Sequence, residues 1–192
     1  IGVGLYILIL VLVFALYLYT YRSKLLDGLR HVLFFTILMA LVITTAFVVL
    51  RHVPIGYIFL IPFAWVPIIT RVFYESRTAI FIHLITVLIV SIAAPAPYIF
   101  ILLQVITGVI AVISLRDMTQ RAQLAQTALF ILLMYSVLYT ATTMLVTGSI
   151  MNVEYRYYLY FAINAVLVIC AYGLIFLFER TFGLVSNITL VD

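Results

Sequence analysis

Three histidines, one cysteine and six carboxylates are the side chains here with the chemistry to hold a metal or move a proton. A metal centre needs three or four such ligands converging on one point. His31, His52 and His83 are instead dispersed through an apolar chain and, on the helix layout drawn below, fall at three different depths. Asp27, Glu75, Asp117 and Glu179 travel with arginines, Glu154 sits two residues from Arg156, and Asp192 is terminal. They read as solvated charges or weak ion pairs. Cys170 has no partner for an intrachain disulfide and reads as a small packing residue. No Gly-rich phosphate loop is present, and Asn187-Ile188-Thr189 is taken as a chance match to the glycosylation sequon.

The polar residues that interrupt apolar runs carry more information. His83, Gln104, Gln126 and Asn164, with Thr44 and Thr45, lie where the surroundings are hydrocarbon-like. Such residues mark a ligand pocket or proton path, or they serve as interhelical hydrogen bonds worth about 0.6–2 kcal/mol each. Both readings stay open at this stage. No acidic side chain sits mid-run, which argues against an ion-coupled pump.

The elements that would position these residues follow from composition. Of 192 residues, 68% are hydrophobic and 8% charged, whereas a soluble domain carries about 25% charged residues. The chain is an integral membrane protein. Seven apolar runs, 1–21, 32–50, 55–70, 78–94, 98–115, 124–147 and 157–178, are each long enough, or nearly so, to cross the ~30 Å hydrocarbon layer as a helix. They are too uniformly apolar for barrel strands, so the predicted fold is an all-α seven-transmembrane bundle. The third and fourth runs are the shortest. With Ile1 opening inside an apolar run and no basic stretch before it, a signal peptide is a poor description, and both ends are expected to be internal to a longer chain.

The net charge of +4 is informative through its placement. Arg22, Lys24, Arg30, Arg71, Arg77, Arg116, Arg121 and Arg180 fall on one side of the seven runs, and only Arg51 and Arg156 on the other. The positive-inside rule makes the first side cytoplasmic, with the N-terminus outside and the C-terminus inside. The basic residues therefore report topology, and no nucleic-acid partner is expected. Outside loops are short, which leaves little room for an external binding module between the helices.

Pro62 and Pro67 fall inside the third run and predict a helix kink, static or hinge-like. Tyrosines crowd the run ends, with Tyr17, Tyr19 and Tyr21 on the first and Tyr155, Tyr157, Tyr158 and Tyr160 on the last. Their amphipathic rings suit the headgroup level, and an aromatic ligand cage is the minority reading.

The last run ends in Phe178-Glu179-Arg180-Thr181-Phe182-Gly183, followed by Ile188-Thr189-Leu190. This exit resembles the junction in bacterial seven-transmembrane receptors with an intracellular HD hydrolase, the group that includes cyclic-di-AMP phosphodiesterases. Tyr57 to Ala64 and Arg77-Thr78-Ala79 also look like that family, less specifically. The resemblance implies a transmembrane domain over 1–180 and, over 181–192, the start of a linker to a cytoplasmic HD domain. It implies an extracytoplasmic sensor before the helices, a divalent metal (Mn or Fe) in the HD domain, and the bacterial inner membrane as location. A homodimer is compatible with it. No His here is followed by Asp, so the hydrolase itself would lie beyond Asp192. Phe178, Glu179, Phe182 and Gly183 become the candidate output residues. The competing reading is a small solute-binding subunit of a membrane transporter, weakened by the lack of an Ala-x-x-x-Ala pair for docking a partner helix.

Overall fold

The computed structural model describes residues 2–21, 28–115 and 122–183. Val185, Asn187, Asp192 and the charged residues Arg22, Lys24, Asp27, Arg116, Asp117 and Arg121 lie outside the described residues. The described elements are helical throughout: α1 (Gly2–Tyr21), α2 (Leu29–His52), a 3-10 turn (Ile55–Leu60), α3 (Trp65–Phe73), α4 (Ser76–Ser91), α5 (Pro97–Ser114), α6 (Ala122–Thr147), a second 3-10 turn (Ile150–Asn152), α7 (Arg156–Ile169) and α8 (Ala171–Phe182). Six stretches are long and apolar enough to cross a membrane, with Gly56–Phe73 and Arg156–Phe182 each counted as one.

The remaining segment, α4, has 16 residues, about 24 Å of helix at 1.5 Å per residue. It falls short of the hydrocarbon thickness and is largely surrounded by protein. Ten of its side chains are buried, including Ile82, His83, Thr86 and Val90, and it packs on α1, α2, α3 and α5. At the other extreme, α1 buries only Leu10 and Leu18, half-buries Ile7, Phe14 and Tyr17, and turns the rest of its surface outward. In water that would be untenable, whereas in lipid an apolar exterior is the stable one.

Successive segments alternate in direction and define two faces. Tyr17 near the end of α1 sits 3.1 Å from the Thr78 hydroxyl at the start of α4, and His31 at the start of α2 lies 2.7 Å from the Tyr74 hydroxyl after α3. These, with Gly183, mark one face. The opposite one carries Pro95, Gly56 against Tyr157 and Tyr160, and the Glu154–Arg156 pair at 3.6 Å. They are called the Gly183 face and the Pro95 face below.

Two segments are not continuous helices. The third breaks over residues 61–64, between the 3-10 turn and α3, where the sequence pattern predicts a kink. Pro62 lies in the break, and Pro67 lies in the first turn of α3, where a missing N–H is tolerated. The seventh is interrupted at Cys170, whose N–H bonds back to the Leu167 carbonyl at 3.0 Å, a tighter i to i+3 step. Cys170 is exposed at this interruption, which corrects its reading as a packing residue.

Candidate functional site

In a 3-10 turn the carbonyl of Phe59 would accept the N–H three residues on, and that residue is Pro62, which has none. The N–H after it, on Phe63, turns back to Ile61 at 2.9 Å. The vacancy in the ladder is filled from across the bundle. Asn164 on α7 is fully buried, and its amide nitrogen donates to the carbonyls of both Phe59 and Ile61 at 2.8 Å. A side-chain donor thus replaces the backbone donor that proline removed, as the absence of water in lipid requires.

A second tie joins the same two segments on the other side of the break. The indole of Trp65, the first residue of α3, donates to the Leu167 carbonyl at 2.9 Å. Leu167 is the residue whose carbonyl also takes the Cys170 N–H. A side chain inserted into the ladder is a recognised cause of a helix bend. The interruptions of the third and seventh segments are therefore tied to each other.

Beside this clamp runs a polar line through the fourth, fifth and sixth segments. The His83 ring donates from Nε2 to the Gln104 carbonyl at 2.9 Å, leaving Nδ1 as an acceptor beside the Phe63 backbone without a donor. Tyr135 donates its hydroxyl to Gln104 Oε1 at 2.5 Å and stacks on Phe161 of α7 at 5.1 Å between ring centres. Gly108, one turn after Gln104, makes room for the imidazole, because a Cβ there would overlap it. His83, Gln104, Tyr135 and Asn164 are all at most 2% exposed. Each of His83 Nδ1, Gln104 Nε2 and Asn164 Oδ1 is buried without a partner.

Of the intramembrane polar residues read from sequence, the structure brings His83 and Gln104 into contact and places Asn164 at the break. Gln126 stands apart, exposed one turn into α6. Thr44 and Thr45 are exposed, with Thr45 bonded to its own helix at the Leu41 carbonyl. Tyr135 and Trp65 were not singled out. The available signal for Tyr135 was its place mid-run, where an interfacial role does not fit.

The Gly183 face is closed by aromatic rings. Phe34 of α2 meets Phe73, Phe178 and Phe182 edge-on at 5.4, 5.1 and 5.9 Å, and Phe178 stacks on Phe182. Such pairs add about 0.5–1.5 kcal/mol beyond their buried area. Tyr74 completes the cluster, its hydroxyl on His31 Nδ1, and burial raises its pKa above the ordinary tyrosine range. Glu179 is half-buried, and its carbonyl accepts the Gly183 N–H at 2.9 Å. Gly183 is left-handed at φ 63°, ψ 29°, so the seventh segment stops there.

Among the described residues no three His, Cys, Asp or Glu side chains come together to hold a metal. The fold is that of a multi-pass membrane protein whose buried polar groups serve helix contacts. The chain belongs to the family of seven-transmembrane receptors with an intracellular HD hydrolase, whose model matches residues 1–186. No curated protein and no solved structure matches it.

Proposed function

We propose that this chain is the membrane relay of a cyclic-di-AMP phosphodiesterase, carrying an extracytoplasmic signal to a cytoplasmic HD domain. In this reading the protein lies in the bacterial inner membrane with the Pro95 face outside and the Gly183 face in the cytoplasm. Among the described residues Arg30, Arg71, Arg77 and Arg180 lie toward the Gly183 face against Arg51 and Arg156 toward the other, which supports that orientation. The transmembrane domain then covers 1–180 and the linker begins at 181. The HD domain would supply the divalent metal, Mn or Fe, that activates water for phosphodiester hydrolysis.

The observation that carries the reading is the double tie between the broken third segment and the seventh, through Asn164 and Trp65. Any displacement of the third segment is imposed on the helix that leads to Phe178, Phe182 and Gly183. Breaks at Pro62 and Cys170 supply the places where backbone angles can change. The unpaired atoms of His83, Gln104 and Asn164 leave room for a second hydrogen-bonding arrangement, as a two-state relay needs. A coupling of about 1–3 kcal/mol is the usual scale.

The test is hydrolysis of cyclic-di-AMP by the full-length protein in liposomes with Mn²⁺, compared with its cytosolic part alone and with the Asn164→Leu protein. A relay gives a rate that changes when the helices are removed and shifts again in Asn164→Leu. Equal rates in all three reduce the helices to an anchor, and absence of hydrolysis removes the cyclic-di-AMP assignment.

A further inference from the structure

The Pro95 face contains a pocket that the relay reading does not use. Its volume is about 150 Å³, and its wall is almost wholly apolar. Ile58 and Phe59 from the 3-10 turn form one side, Ala94 and Phe100 the second, and the stacked rings of Tyr139 and Tyr157 the third. Four segments thus meet around it. The Tyr139 hydroxyl accepts the Glu154 N–H at 3.3 Å, which fixes the ring against that loop.

A half-open pocket of this size with apolar walls suits a guest of benzene size, because a water against those walls would find few hydrogen-bond partners. The rings of Phe59, Phe100, Tyr139 and Tyr157 offer edge and face contacts to such a guest. Phe59 has two roles: its side chain lines the pocket, and its carbonyl is held by Asn164. A guest therefore presses on the same turn that the seventh segment grips.

We infer that this pocket is a binding site for small apolar molecules, of about six to eight heavy atoms, that partition into the membrane. The site goes beyond the relay reading and is tested on its own residues, so the loss of one leaves the other standing. Full-length protein in liposomes is irradiated with pentamethylene diazirine, a cyclohexane-sized carbene precursor, and the adducts are mapped by mass spectrometry. Labelling at Phe59, Phe100, Tyr139 or Tyr157 is expected to saturate with probe and to fall at least tenfold under excess cyclohexane. Labelling at the outward-facing Leu145 and Val166 is expected to rise without saturation. Ala94→Phe fills the pocket from its buried wall, and Ile99→Trp fills it from a half-exposed position that tolerates bulk better. Either variant that folds is expected to lose the saturable component at least tenfold while keeping the Leu145 and Val166 adducts. Pocket labelling that rises linearly like that of Val166, or that survives in a folded filled variant, overturns the proposal and leaves the space to lipid chains.

Discussion

The amide of Asn164 donates at 2.8 Å to the Phe59 carbonyl, the acceptor that Pro62 cannot serve. Two residues about a hundred positions apart in sequence are thereby complementary, one removing a donor and the other returning it. Asn164→Leu is expected to destabilise the bundle by about 1–3 kcal/mol, because two buried carbonyls lose their shared side-chain donor. Pro62→Ala restores an N–H at the right place, so Asn164→Leu should cost less in that background. A double-mutant cycle read by unfolding in mixed micelles measures the coupling, expected near 1 kcal/mol. Additive costs would show that the two residues do not share the acceptor.

Gly108→Ala is expected to destabilise by about 1–3 kcal/mol through overpacking, since the added methyl would occupy the space of the His83 ring. His83→Ala vacates that space. The double variant should therefore be more stable than the sum of the two single losses, as thermal unfolding of the four proteins would show.

Tyr135→Phe keeps the stacking on Phe161 and deletes the hydroxyl that serves Gln104. A loss of about 0.6–2 kcal/mol is expected, the range of hydrogen bonds between transmembrane helices. If Gln104 turns to pair with another group, the loss measured by the same unfolding assay falls to the bottom of that range.

At the exit, Phe34→Ala removes the ring shared by Phe73, Phe178 and Phe182 and should cost about 3–5 kcal/mol. Amide exchange at Phe178–Gly183 should accelerate more than exchange in α5. Gly183→Ala places a side chain at positive φ, at a cost of about 1 kcal/mol, and should speed exchange only around residue 183.

Tyr74 gives a pH dependence with a definite sign. Burial raises its pKa above the unfolded value of about 10. The folded state then holds the proton more tightly, so stability is intact below pH ~10 and declines as pH rises from there toward the folded pKa. Tyr74→Phe should flatten that alkaline decline relative to the parent protein, at the expense of the bond to His31.

Much of the architecture was legible in the chain. The uniform apolar runs could only be helices in lipid, and six of the segments have the length that spanning demands. His83, Gln104 and Asn164 stood out because polar atoms in hydrocarbon need partners. Their partners were not legible, since the Phe59 carbonyl and the Gln104 carbonyl are backbone groups that every residue possesses. Pro62 announced a disturbance, but whether the helix bends or breaks depends on what else can satisfy the freed carbonyl. Cys170 was misplaced for a related reason: composition says how a cysteine usually packs, and only the course of the seventh segment says that this one sits at its interruption.

The sequence by itself determined that this protein lives in a membrane as a bundle of apolar helices, because that follows from hydrophobic length and residue type. Only the tertiary structure decided that the third and seventh segments are bound to each other at their breaks, that Tyr135 completes the polar line, and that Phe34 closes the exit. Those pairings join residues far apart in the chain, and which donor meets which acceptor is settled by helix packing in three dimensions, about which spacing along one chain carries no information.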